Sequence, residues 1–215
     1  MEITDRIIEY INKNRVSTTE VADCLGKSGA LPGVLPINSG KFCVGKISWI
    51  YAYNESNWSV HEQGRFIKEN TVVLIDCFNC GERAIVGELV SKYFILYKNS
   101  KAMVVMGKMR DAHRLIKENY PIWCTGVSPI GCFNNKVEEP LEPIWETEHR
   151  SMYEGAIAVC DDSGVVIIPK EHINEAFLDK LESIEKQEDI WFDCIDRKKW
   201  DTFDTVCLKK YKEQE

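Results

Sequence analysis

No uninterrupted apolar run in this chain approaches the roughly 20 residues that cross a bilayer as a helix. The first residues, Met-Glu-Ile-Thr-Asp-Arg, lack the apolar centre of a secretory signal peptide. A soluble, cytoplasmic protein without membrane partners is therefore expected. Positive charge is also in short supply: 27 Lys and Arg stand against 34 Asp and Glu, for a net charge of −7. A broad phosphate-binding surface needs the opposite balance, so direct nucleic-acid binding is not expected. Cys77-Phe-Asn-Cys80 has no second CxxC beside it, which excludes a four-cysteine zinc ribbon. HExxH, GxSxG and GxGxxG are absent, and Leu25-Gly-Lys-Ser28 has Val21 where a phosphate loop requires its first glycine. The four histidines, His61, His113, His149 and His172, are dispersed and form no ligand pattern.

What is present starts with nine cysteines, an odd number. Without a secretory leader they read as reduced thiols, not as a disulfide framework. Cys77 and Cys80 follow the apolar run Val72-Val-Leu-Ile-Asp76 and suit packing thiols in a strand-to-helix loop, with redox or metal chemistry as the alternative.

Apolar spacing then sets out the elements. Ile3, Ile7, Ile8 and Ile11 recur at helical intervals, and Ser17-Thr-Thr-Glu20 is a capping-box start for a second helix. Residues 42–53 read as one or two strands, residues 54–57 as a turn, and a helix is expected through His61 and Phe66. A buried strand at 71–76 precedes an amphipathic helix over 83–97, carried by Ile85, Val86, Leu89, Val90, Tyr93 and Phe94. A strand at 102–106, a short helix at 111–118 and a strand at 121–125 follow. The prolines of Val137-Glu-Glu-Pro-Leu-Glu-Pro-Ile-Trp point to an edge strand. Asp161-Asp-Ser-Gly164 turns a hairpin between 156–160 and 165–169, and a helix with Ile173, Phe177, Leu181 and Ile184 on one face comes next. The stretch after Gln187 mixes aromatics with charges, which suits docking onto the body or a neighbouring subunit. The alternation of strand and helix predicts an α/β layer with parallel pairs.

The segment 87–111 carries the chemistry. Gly87-Glu88-Leu89-Val90 falls at an expected helix start, where backbone N–H groups favour an anion. Arg110-Asp111 falls past the end of the next strand and offers a cationic fork beside a carboxylate able to hold a hard metal ion. Together they suit a small 2-oxo acid.

These pieces resemble the class II 4-hydroxy-4-methyl-2-oxoglutarate aldolases and their relatives, the regulator-of-ribonuclease-E-activity-A-like proteins. The resemblance rests on Gly87-Glu-Leu-Val90 followed about twenty residues later by Arg110-Asp111, and covers roughly 16–172. Further matches are Ser17–Asp23, Asn57-Trp-Ser-Val-His61, Val73-Leu-Ile-Asp76, Pro121–Gly126 with Ser128-Pro129, and Asp161–Pro169. It implies an α/β domain over 16–172; the apolar spacing adds an N-terminal helix over 1–15 before it and a C-terminal helix and tail over 173–215 after it. The implied fold is a swivelling β/β/α domain with a central mixed sheet, assembled as a homotrimer or homohexamer with the site between subunits. The implied activity is a lyase using Mg²⁺ or Mn²⁺ that releases pyruvate from a 2-oxo acid or decarboxylates oxaloacetate. Asp111 would hold the metal and Glu88 would hold it through water. Arg110 would contact the keto oxygen, and the substrate carboxylate would lie on the Gly87 tip against the N–H groups of Leu89 and Val90.

The chain departs from the family pattern at Met106, at Lys108, at Arg114 (where an acidic residue is usual) and at Glu154-Gly155-Ala156. Those departures keep a second reading open, a non-enzymatic regulatory binding protein.

Overall fold

The computed structural model describes residues 1–213. Its centre is an 8-stranded mixed sheet. The strands are β1 (Leu35–Pro36), β2 (Cys43–Tyr53), β3 (Val72–Phe78), β4 (Ala84–Val86), β5 (Ala102–Met109), β6 (Ile122–Val127), β7 (Ile157–Asp161) and β8 (Gly164–Ile168). The helices are α1 (Ile3–Asn14), α2 (Thr18–Cys24), α3 (Trp58–Gly64), α4 (Glu88–Lys92), α5 (Ala112–Glu118), α6 (Pro143–Tyr153) and α7 (Glu175–Asp196).

Strand order is β1-β6-β5-β3-β2-β7-β8, with β4 also on β5. β2, β3, β5 and β6 run parallel, whereas β7 and β8 return antiparallel as a hairpin. The two ends of the sheet come together. Leu31 N–H donates to Val165 O and Ile167 N–H to Gly29 O, while the next residues form β1 on β6. The segment 29–36 thus bridges both edges, leaving a nearly closed barrel-like sheet and little open edge.

Burial follows from this topology. β2, β3 and β5 are covered on both faces, so they read as continuous apolar runs, not as alternating ones. Ile75, Val105, Phe94 and Leu115 fill one side, and Trp49, Leu74, Trp123 and Ala158 the other. A third cluster joins Ile7 and Ile11 of α1, Val21 of α2 and Phe177 and Leu181 of α7 to the β7–β8 hairpin. The capping box at Ser17 and Glu20 is formed on both arms.

Two expectations from patterning are corrected. The helix expected from 83 instead begins at Glu88, because Ala84–Val86 is strand. β3 leaves β5 after the Ile75–Val105 pair, and β4 takes the vacated edge against Lys108 and Met109. A short buried apolar run fits either element, and the unpaired edge decides. The helix then relaxes into a π-helical turn at Tyr93–Tyr97. The edge strand expected at 137–145 is irregular chain leading into α6, with Pro143 in the first turn, where its missing N–H costs nothing. The charged stretch after Gln187 continues α7 to Asp196. Beyond it, buried Tyr211 folds back and donates its hydroxyl to Gln187 Oε1 at 2.9 Å, whereas Phe192 within α7 and Phe203 after it stay exposed.

Candidate functional site at the end of β5

Buried Met109 ends β5, and Arg110 N–H donates to Val86 O at 3.1 Å, locking the strand end to β4. The chain then turns sharply at Asp111, which sits in the left-handed region at φ 60°. Asp tolerates that conformation better than most residues. Asp111 stands at the N-cap position of α5, yet its side chain caps a different helix. Glu88 N–H, the first amide of α4, donates to Asp111 Oδ2 at 3.2 Å. A carboxylate there meets the positive end of that helix.

Gly87 makes the approach feasible. A Cβ at this position would lie 2.3 Å from Asp111 Oδ2 and 2.7 Å from Arg110 Cγ. Buried Ser91 braces the same turn by donating Oγ–H to Gly87 O at 2.9 Å. The Leu89 and Val90 N–H groups precede the first α-helical bond, which Ser91 N–H gives to Gly87 O. They lie at the end of the helix that has no internal acceptors.

Two arginines frame the acids. Arg110 Nε lies 3.7 Å from Asp111 Oδ2, and Arg114, one turn into α5, places Nη1 3.3 Å from Glu88 Oε2. Both carboxylates are thus matched by a guanidinium. The Arg110 and Asp111 side chains are 53% and 39% exposed, so the group opens to solvent in the single chain. A cleft of about 720 Å³ lies elsewhere, between α1 and β2, and is lined by Asp5, Phe42, Lys46 and Lys101.

Patterning gives no reason to single out Gly131 or Arg83, yet both belong to this neighbourhood. A Cβ on Gly131 would fall 2.6 Å from Arg110 Nη1. Arg83 donates Nη1–H to Gly131 O at 3.1 Å and lies over the Phe133 ring. A lone glycine in an irregular segment carries no periodic signal; only the close approach reveals its use. His61, which sequence placed near a turn, is exposed on α3. His149 is instead tied by Nδ1 to the buried Asp76 carboxylate at 2.6 Å, which fastens α6 to β3.

Among the described residues no three His, Cys, Asp or Glu side chains converge as a metal cage, and no helix is long and apolar enough to cross a membrane.

Comparison with known proteins fits this frame. The RraA-like family model, described as aldolase/RraA, matches residues 18–167. Protein DlpA of Legionella pneumophila is 25% identical over 172 residues, covering 78% of this chain and 28% of its own length. This chain therefore spans under a third of that curated relative. Among solved structures, an uncharacterized protein from Pseudomonas syringae superposes with a TM-score of 0.69 at 22% identity, covering 91% of this chain and 94% of the other. Streptomyces coelicolor RraAS2, titled an unusual member of the RNase ES inhibitor RraA protein family, gives 0.65 at 21% identity over 82% of this chain and 91% of its own. The RNA-processing inhibitor RraA from Thermus thermophilis gives 0.53 at 19% identity over 71% and 92%. With most of its sheet and the 87–111 segment inside the matched span, the chain belongs to the RraA-like (aldolase/RraA) family, which includes both aldolases and regulatory inhibitors.

Proposed function

We propose that this chain is a divalent-metal-dependent carbon–carbon lyase acting on a small 2-oxo acid. The observation that supports it best is the convergence of Arg110 and Asp111 on the Gly87 tip of α4, so close that a Cβ at residue 87 would lie 2.3 Å from Asp111 Oδ2. The residues fit a hard ion. Asp111 Oδ1 accepts no hydrogen bond among the described residues, and Glu88 projects from the same tip. Mg²⁺ or Mn²⁺ is satisfied by one or two carboxylates with water and substrate oxygens, whereas a caged zinc needs more protein ligands. Asp111 would hold the ion directly and Glu88 through water. When bound, the ion would act as a Lewis acid at the keto oxygen.

The chain's own groups do the rest. The Leu89 and Val90 N–H groups take the substrate carboxylate. Arg110 donates to the keto oxygen. Breaking the C3–C4 bond leaves an electron pair on C3 that spreads to that oxygen, and a fixed guanidinium stabilises the enolate most when its charge is fully developed. Retro-aldol release of pyruvate and decarboxylation of oxaloacetate share this enolate, so both belong to the proposed activity. The open geometry of the single chain suits a site completed by a second subunit in a homotrimer or a homohexamer. The test is pyruvate release from oxaloacetate and from 4-hydroxy-2-oxo acids with and without Mg²⁺. Turnover that survives chelation, with borohydride trapping of pyruvate on a lysine, would replace this reading with Schiff-base chemistry.

A regulatory binding protein is the second reading, favoured by one feature. Leu89, Tyr93, Leu96 and Tyr97 are exposed on α4 and its π-helical turn, an apolar surface beside the arginine pair. Inertness toward every 2-oxo acid, with retained binding of a protein partner through that surface, would select it.

A further inference from the structure

β2 carries a lysine inside an otherwise buried run. Val44, Gly45, Ile47 and Ser48 are all buried, yet half-buried Lys46 stands among them. Strand alternation puts Lys46 on the same face as Val44, which packs in the cluster built on α1 and α7. The cleft of about 720 Å³ between α1 and β2 is lined by this lysine on one side and by Asp5 and Glu9 of α1 on the other. Among the described residues, Lys46 has no carboxylate within 4 Å, and neither Asp5 nor Glu9 has a cation within that distance. We propose that this cleft binds a small zwitterion with an apolar side chain, an α-amino acid or a dipeptide, its carboxylate on Lys46 and its ammonium on Asp5 and Glu9.

The walls suit that chemistry. Asp5, Ile8 and Glu9 recur at helical spacing and line the cleft, while Ile7 and Ile11 are fully buried and fix the rotation of α1. Ile8, Phe42 and Val44 supply apolar surface between the charged groups. Lys101 also lines the cleft, but its ammonium is engaged. Gly45 leaves room for its stem, since a Cβ there would lie 3.1 Å from Lys101 Cδ, and its Nζ donates to Val44 O at 3.1 Å. Lys46 therefore supplies the uncommitted positive charge. A half-buried ammonium without a partner is costly, and a ligand carboxylate would offset that cost. A simple anion would have to face Asp5, Glu9 and also Glu69 of the same cleft, and a simple cation would have to face Lys46. A molecule that carries both charges meets both walls without repulsion. The volume lies within the roughly 300–1,000 Å³ common for small-molecule sites.

The cleft is separate from the Arg110 group. Lys101 immediately precedes β5 and Arg110 immediately follows it, so the two regions lie at opposite ends of one strand. At about 3.3 Å per residue that strand holds them roughly 25–30 Å apart. Occupancy of the cleft is thus independent of whether the Arg110 group cleaves a 2-oxo acid.

Titration of the full, isotopically labelled chain with L-leucine and with L-leucylglycine, followed through backbone amide shifts, tests this. The expected result is saturable shifts at Ile8 and Val44 with at least one of the two, and the tighter binder tells an amino acid from a dipeptide. The analogues 4-methylpentanoate, which lacks the ammonium, and 3-methylbutylamine, which lacks the carboxylate, should each bind at least about tenfold more weakly, the cost of one charge-assisted hydrogen bond. Lys46→Gln should weaken the zwitterion by a similar factor and leave 3-methylbutylamine no weaker, whereas Asp5→Asn with Glu9→Gln should leave 4-methylpentanoate no weaker. The ligand series on the unmodified chain decides the matter even if a variant fails to fold. No saturable shift up to about 10 mM, single-charge analogues that bind as tightly as the zwitterion, or shifts confined to the Gly87 and Arg110 region would overturn the proposal. None of these readouts depends on lyase activity.

Discussion

At the scale of the residue, Arg110 and Asp111 are adjacent in sequence but serve different partners. Asp111 Oδ2 is taken up by the α4 amide, and Arg110 rests on Gly87 and Gly131. Arg110→Ala should therefore leave the fold intact and lower kcat/KM for pyruvate release by about a hundredfold, the usual cost of losing one preorganised donor. Steady-state kinetics with oxaloacetate checks this. Arg114 is informative in the opposite direction. Its guanidinium neutralises Glu88 across 3.3 Å, and both side chains are substantially exposed. Such a pair is worth up to about 1 kcal/mol. Arg114→Gln should free Glu88 and tighten binding of Mn²⁺ alone by about two- to fivefold, read by calorimetry without any substrate. Gly87→Ala forces a methyl group onto Asp111 Oδ2 and should loosen Mn²⁺ binding as the carboxylate moves aside. Arg110 and Asp111 were legible in the sequence as a pair at a strand end; Gly131 and Arg83 were not, because their role exists only through contacts between segments distant in sequence.

At the scale of the element, the N-terminus of α2 is an independent measure of the local code. Ser17 and Glu20 close both arms of a capping box, so Ser17→Ala should cost about 1 kcal/mol. A fall in Tm of about 2–4 °C by calorimetry would match that cost for a chain of this size. On α7, Glu188 carries a raised pKa, first from burial and then from Glu20, Asp23, Asp189 and Glu185. Its folded-state pKa lies above its unfolded value, so its favourable contribution is complete below the unfolded pKa and disappears as pH rises through the folded one. Glu188→Gln should raise Tm at neutral pH, with the advantage fading as pH falls below about 4, the unfolded pKa, where the native glutamate becomes protonated in both states. Thermal melts of both proteins across that range decide it. The same scale explains why 83–97 was only half readable. Leu89 to Phe94 do form helix or π-helical turn, but Ile85 and Val86 went to the strand that β5 needed. The proline run before Trp145 was ambiguous in the same way, since Pro suits a strand edge and a first helical turn alike.

At the scale of the whole molecule, the prediction concerns assembly. Leu89, Tyr93, Leu96 and Tyr97 form an exposed apolar strip next to a site open on one side. If that strip buries against another copy and completes the site, Leu89→Asp with Tyr97→Glu should lower the sedimenting mass to one chain and remove turnover together. Sedimentation velocity and the pyruvate assay on one sample test the link. What the sequence determined alone was the set of elements whose patterns are strong and local: α1, the capped start of α2, the β7–β8 hairpin around Asp161–Gly164, and the parallel strands as apolar runs. The order of short motifs from Ser17 to Pro169 likewise carried the resemblance to the family to which the chain belongs. Only the tertiary structure decided that segment 29–36 bridges the two sheet edges, that β4 replaces β3 beside β5, and that Asp111 caps α4 instead of its own helix. Periodicity and capping are properties of neighbours along the chain. Edge satisfaction and close approach are settled by whichever distant segment arrives to fill the vacant hydrogen bonds and the space above a glycine.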